Sequence, residues 1–131
     1  MVHVNHDQAR KEVGKSGEDI ACQFLARKGY KVIGRNYRKK WGEIDIIAEK
    51  DGVVRFIEVK AVSQTGDFSR EMEYRPEELV HRSKLEKVAR TAALCMEEWR
   101  DKREYQIDVV GVIMDEKTRV ARCRLFEQVL D

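Results

Sequence analysis

The sequence predicts an α/β domain in the order helix, three strands, helix, two strands, with a mixed central sheet flanked by helices. Three observations predict it: a capped amphipathic stretch from Ser16, an Asp51-Gly52 turn between two β-branched runs, and a helical stripe between two further strand-like runs. At 131 residues the chain can bury one core without disulfides or a structural metal, and residues 1–131 read as a single domain.

Residues up to about Lys15 are polar and patternless and read as a loose or partly helical arm. His3 and His6 form an H-x-x-H pair there, a weaker sign of a metal site than of an ordinary helix lead-in. From Ser16 a helix is expected: Ser16 caps, Asp19 completes an S-x-x-D signature, Ile20, Ala21, Phe24 and Leu25 form the apolar stripe, and Gly29 ends it. Tyr30 to about Tyr37, centred on Val32 and Ile33, reads as a strand, and Gly42 to Lys60 as a hairpin. The polar connection Ala61 to Arg75 is too long for a tight turn and is a candidate functional loop. Pro76, Glu77 and Glu78 then start a helix running to about Arg100, whose core face carries Leu79, Val80, Leu85, Val88, Ala89, Ala92, Cys95, Met96 and Trp99. Tyr105 to Met114 and Val120 to Phe126 are the last strands. A helix crossing between strands leaves the strands it joins parallel.

No secretory signal or membrane-spanning run is present in the sequence, so a cytoplasmic protein without a membrane partner is expected. Cys22, Cys95 and Cys123 are far apart and set among apolar residues, as reduced buried thiols would be. The net charge is only +2, yet Arg27, Lys28, Lys31, Arg35, Arg38, Lys39 and Lys40 follow one another with no intervening acid, and Tyr37 and Trp41 lie among or beside them. That mixture suits phosphate contact and base stacking, and equally a solvated basic surface.

The hairpin carries the chemistry. Asp-Gly suits a two-residue turn because both positions tolerate positive φ. With Lys50 opposite Val53, Asp45 lies across from Glu58 and Glu43 across from Lys60. Glu43, Asp45, Glu58 and Lys60 are then expected on one face and Ile44, Ile46, Ile57 and Val59 on the other. Two opposed carboxylates ~5 Å apart repel by roughly 3 kcal/mol at an effective dielectric of about 20, so a cation between them is favoured. Lys60 supplies part of that charge from the diagonal. A purely oxygen ligand set selects magnesium or manganese over zinc. Glu18 reads either as a further acid reaching this cluster or as a first-turn acid favoured by the helix dipole. Lys84 reads as a phosphate contact or a solvated lysine, and Asp108 as a structural hydrogen-bonding partner.

Asp45 followed by Glu58-Val59-Lys60 resembles the D…E-x-K signature of restriction-endonuclease-like nucleases, and the element order resembles their αβββαβ core. Gly17-Glu18, Ala21, Gly29-Tyr30, Arg35-Asn36-Tyr37-Arg38, Gly42-Glu43-Ile44-Asp45, Phe56-Ile57-Glu58-Val59-Lys60, Lys84 and Asp108-Val109-Val110 together resemble the YraN-like family of endonucleases across nearly the whole chain. Val62 departs from it, standing where similar proteins often carry an arginine. The resemblance implies metal-dependent phosphodiester hydrolysis. Asp45, Glu58 and the Val59 carbonyl, with Glu18 directly or through water, would hold Mg2+ or Mn2+. Lys60 would orient the attacking water, with Glu43 in support. Arg35, Tyr37, Arg38, Lys39, Lys40 and Lys84 would contact nucleic acid, DNA rather than RNA. Phosphate contacts favour structure over sequence as the thing read, and a homodimer would ease concerted cutting of a duplex. The competing readings are a nucleic-acid-binding module that cleaves nothing, and an interaction domain whose charged hairpin is merely solvated.

Overall fold

The computed structural model describes residues 6–64 and 79–130. Helix α1 (His6–Arg27) is followed by β1 (Lys31–Lys39), β2 (Gly42–Lys50), β3 (Val53–Gln64), α2 (Arg82–Glu98), β4 (Tyr105–Asp115) and β5 (Ala121–Phe126). The strands form one sheet in the order β1-β2-β3-β4-β5. β3 and β4 are parallel and the other pairs antiparallel, the mixed sheet expected when α2 crosses between strands.

Helix α1 starts at His6, so the segment read as an arm is helical from there. Gln8, Ala9, Arg10, Lys11 and Glu12 are good helix formers, and propensity extends the helix where no apolar stripe announces it. His3, residues 65–75 of the expected loop and the proposed helix start at Pro76 lie outside the described residues. Ala61 to Gln64 belongs to β3, continuing its pairing to Gln64↔Asp115. Helix α2 begins later than expected. His81 is extended (φ −63°, ψ 142°) and its ring nitrogen accepts the Ser83 N–H, so the helix is interrupted at Val80 and His81: Leu79 is helical, and α2 starts after this cap.

Among the described residues, α1 packs on one face of the sheet and α2 on the other. On the α2 face, Leu85, Val88, Ala92, Cys95 and Met96 pack against Ile44, Ile47, Val54, Phe56, Ile107 and Val109. On the α1 face, Ala21 and Leu25 pack against Ile46, Ala48, Ile57, Val110 and Val112. Burying one such large side chain contributes about 1.5–3 kcal/mol, so these clusters fix both helices on the sheet. The three cysteines are free, Cys95 buried and Cys22 and Cys123 half-buried. Among the described residues no helix is long and apolar enough to cross a membrane.

The hairpin turn has the expected conformation, with Asp51 at φ 54° and Gly52 at φ 77°. Lys50 pairs with Val53, and the ladder continues as far as Ile46↔Ile57.

Candidate functional site

Beyond Ile46↔Ile57 the recorded pairing of β2 and β3 stops, and a side chain takes over: the Val59 N–H donates to Asp45 Oδ2 at 2.9 Å. The strands part there and Asp45 fills the fork. The sequence accounts for this through Asn36. Arg35 pairs with Ile46 and Tyr37 with Ile44, yet Arg35 reaches Asp19 of α1 while Tyr37 packs into the α2-side cluster. Residues two apart on a regular strand share a face, so β1 changes face between Arg35 and Tyr37. Asn36 makes the change with φ 52°, a left-handed conformation that asparagine tolerates better than most residues. β2 changes face at the same level, with Ile44 in the α2-side cluster and Ile46 in the α1-side cluster. The expectation that Ile44 and Ile46 share a face is therefore corrected.

Asp45 thus sits where the two faces meet. From the α2 face come Glu58, Glu43 and Lys84; from the α1 face comes Glu18. Glu58 is buried, with 9% exposure. The cation paired with it is Lys84, whose Nζ lies 3.8 Å from Glu58 Oε1 and 3.9 Å from Glu43 Oε1. Lys60, expected to supply this charge, is exposed and makes no ion pair among the described residues. The compensation comes instead from Lys84 in the first turn of α2.

Burial is the main cause of an abnormal Glu58 carboxyl, pushed up to about 8, with the Asp45 charge second and Lys84 opposing both. Burial also raises Asp45, against hydrogen bonds from Val59 and Glu58 that favour its ionised form. Burial thus opposes ionisation of both acids, and most strongly of Glu58. Glu18 is raised as well, by burial and then by the Asp45 charge. Its Oε1 is buried without a hydrogen-bond partner, with Arg35 Nη2 3.8 Å away. Close packing puts Glu18 there: a Cβ on Gly17 would lie 2.5 Å from the Ala61 Cβ. Among the described residues no three carboxylate, imidazole or thiol groups converge as a metal-holding set, so Glu18 faces Asp45 without completing a triad.

Beside the acids, between the β1–β2 turn and α2, runs a groove of about 350 Å³ lined by Arg38, Lys39, Lys40, Gly42, Glu43, Lys84, Lys87 and Val88. Five of the eight are cations. Arg38, Lys39, Lys40 and Lys84 from the predicted set meet in it. Arg35 and Tyr37 do not: Arg35 bonds Asp19 Oδ1 at 2.8 Å, and the Tyr37 hydroxyl donates to Glu98 at 3.2 Å while its ring meets Trp99 edge-on. Within the groove's lining, Arg38 lies 3.8 Å from Glu43 and Lys39 3.1 Å from Glu98. Lys87 was not anticipated. Its spacing of three from Lys84 on a helix was the available signal.

Asp108 is fully buried, accepting from Gln106 Nε2 (2.9 Å) and the Gln128 N–H (2.8 Å), in the structural role expected of it.

A profile of Uncharacterised protein family UPF0102 matches residues 17–112, a span containing Glu18, Asp45, Glu58 and the groove. Among similar proteins, a UPF0102 protein of Campylobacter concisus is 42% identical over 100 residues, covering 76% of this chain and 81% of its own length. One from a Sulfurihydrogenibium species is 39% identical over 104 residues, covering 79% and 85%. One from Campylobacter jejuni is 37% identical over 102 residues, covering 78% and 84%. The chain belongs to the UPF0102 family, the YraN-like proteins.

Proposed function

We propose that this protein is a metal-dependent nuclease that hydrolyses phosphodiester bonds of DNA, selecting structure over sequence. The observation that carries the reading is a pair of acids, Asp45 and buried Glu58, set in a fork of the sheet beside a groove lined by five cations. Element order and mixed sheet are consistent with a restriction-endonuclease-like αβββαβ core, in which Asp45 and Glu58-Val59-Lys60 occupy the D…E-x-K positions.

The donors are of the chemical type that magnesium or manganese takes, though the acids alone do not form a closed set of three among the described residues. Two carboxylates destabilised by burial and mutual repulsion, an unpartnered Glu18 oxygen nearby and the Val59 carbonyl offer hard oxygen ligands, and magnesium keeps several waters beyond one or two protein carboxylates. When bound, the ion lowers the pKa of a water and offsets charge on the phosphate. Lys60, exposed and unpaired among the described residues, holds the attacking water or balances the developing negative charge. Arg38, Lys39, Lys40, Lys84 and Lys87 seat the sugar-phosphate backbone. Lys84 spans both regions, close to Glu58 and lining the groove. Concerted cutting of both strands calls for two sites, as a twofold dimer provides.

Lys84 also favours a second reading. Its ammonium already lies between Glu43 and Glu58, so the acids are partly neutralised without an ion, as in a module that binds nucleic acid and cleaves nothing. A panel of labelled linear, nicked, flap and four-way DNA, with RNA, in magnesium or manganese separates the two. Wild type is expected to cut at least one DNA, and Lys60→Ala to lose cutting by at least 100-fold (about 2.7 kcal/mol) while retaining binding. Binding without cleavage under every condition would establish the module.

A further inference from the structure

We infer that the turn between β1 and β2 is a stacking platform for an unpaired base, so the favoured substrate carries single-stranded nucleotides next to a duplex; this rests on the nucleic-acid reading above. Trp41 stands in this turn with 46% of its surface exposed. Its neighbours Lys40 and Gly42 both line the cationic groove, so Trp41 belongs to the turn that forms the groove's rim without itself lining it. The other aromatics of the basic run are committed elsewhere, Tyr37 being held by Glu98 and Trp99, and Tyr30 being buried with its hydroxyl on Glu127.

The turn is also held in place. Gly42 has φ 156° and lies so close to α2 that a Cβ would collide with Thr91 Oγ1. Thr91 is itself buried and donates to the Lys87 carbonyl. Trp41 is thereby anchored one residue from a helix contact, which fixes it relative to Lys84 and Lys87. An indole in that position is nearly half exposed and adds little to the core, leaving aromatic surface free at the edge of the cationic groove. Bases inside a duplex have no free face to give it; unpaired bases do. The groove takes phosphates and the turn takes the base where pairing ends.

Binding measured without divalent metal isolates this step from cleavage. Oligothymidylate and forked DNA are expected to quench tryptophan fluorescence while blunt duplex of equal length does not, and Trp41→Phe to abolish the quench. Trp41→Ala is expected to weaken single-strand and fork binding about tenfold, the effect of losing one stacked base, with duplex affinity unchanged and Trp41→Phe retaining most of the wild-type affinity. Equal affinity of wild type and Trp41→Ala for forked DNA, or an equal loss on blunt duplex, would overturn the inference while leaving the nucleic-acid reading intact. Failure of the wild type to bind any nucleic acid would overturn both. Because the quench is read first on unaltered protein, a misfolded variant cannot decide the result.

Discussion

At Glu58 the fold opposes ionisation. Burial and Asp45 raise its carboxyl from an ordinary value of 4.5 to about 8, and Lys84 recovers only part of the difference. A carboxyl raised on folding contributes most to stability while it keeps its proton, below its unfolded pKa, and that contribution is lost as pH climbs through the folded value. In metal-free protein Glu58→Gln, which cannot ionise, is therefore expected to gain on wild type between pH 4.5 and pH 8 and to hold the gain above, by on the order of a few kcal/mol. Urea midpoints of both proteins across that range measure it. Parallel curves would show that Glu58 titrates as an exposed carboxyl does. Asp45 was legible as its opposite number because Asp51-Gly52 fixes a register locally. The role of Lys84 was not, since nothing in the chain states that the first turn of α2 lies over β3.

Two elements approach each other closely enough for the site to depend on a missing side chain. At Gly17, α1 meets Ala61 of β3, and the next residue along the helix is Glu18. Gly17→Ala is expected to cost about 1–3 kcal/mol by pushing the helix from the sheet. Adding Ala61→Gly should return part of that loss, as contacting residues do in a double-mutant cycle. Thermal or urea unfolding of the four proteins tests it; strict additivity would mean that the two residues do not share the contact. The strands themselves were readable from β-branched runs and turn chemistry. Their change of face was not, because alternation was carried unbroken from Ile44 to Ile46 along β2, opposite Asn36 of β1. An asparagine in mid-strand, a residue that tolerates positive φ, was the signal to stop.

On the scale of the whole molecule, Arg55 ties distant parts of the chain together beneath the sheet's far end. Its guanidinium, 9% exposed, lies 2.9 Å from Glu127 and 3.8 Å from buried Asp108, and sits over the Tyr30 ring with 5.4 Å to the centroid. Tyr30 follows α1, Arg55 belongs to β3, and Glu127 follows β5. Arg55→Leu would leave Asp108 facing no cation, and removing one member of such a buried pair costs about 3–5 kcal/mol. A shift in the urea midpoint reports it, and a change under about 1 kcal/mol would mean that solvent screens the pair as it does at surfaces. None of this network was foreseen beyond Asp108, since its members are separated by most of the chain.

The Asp45 carboxylate stands where two strands would otherwise stay zipped together. An aliphatic residue there would let backbone pair with backbone through the gap, so chance mutation has an easy route toward a sturdier and emptier sheet. If the fork matters to the cell, selection has to keep the seam open at the expense of robustness, and Asp45 is the position where those two pressures collide.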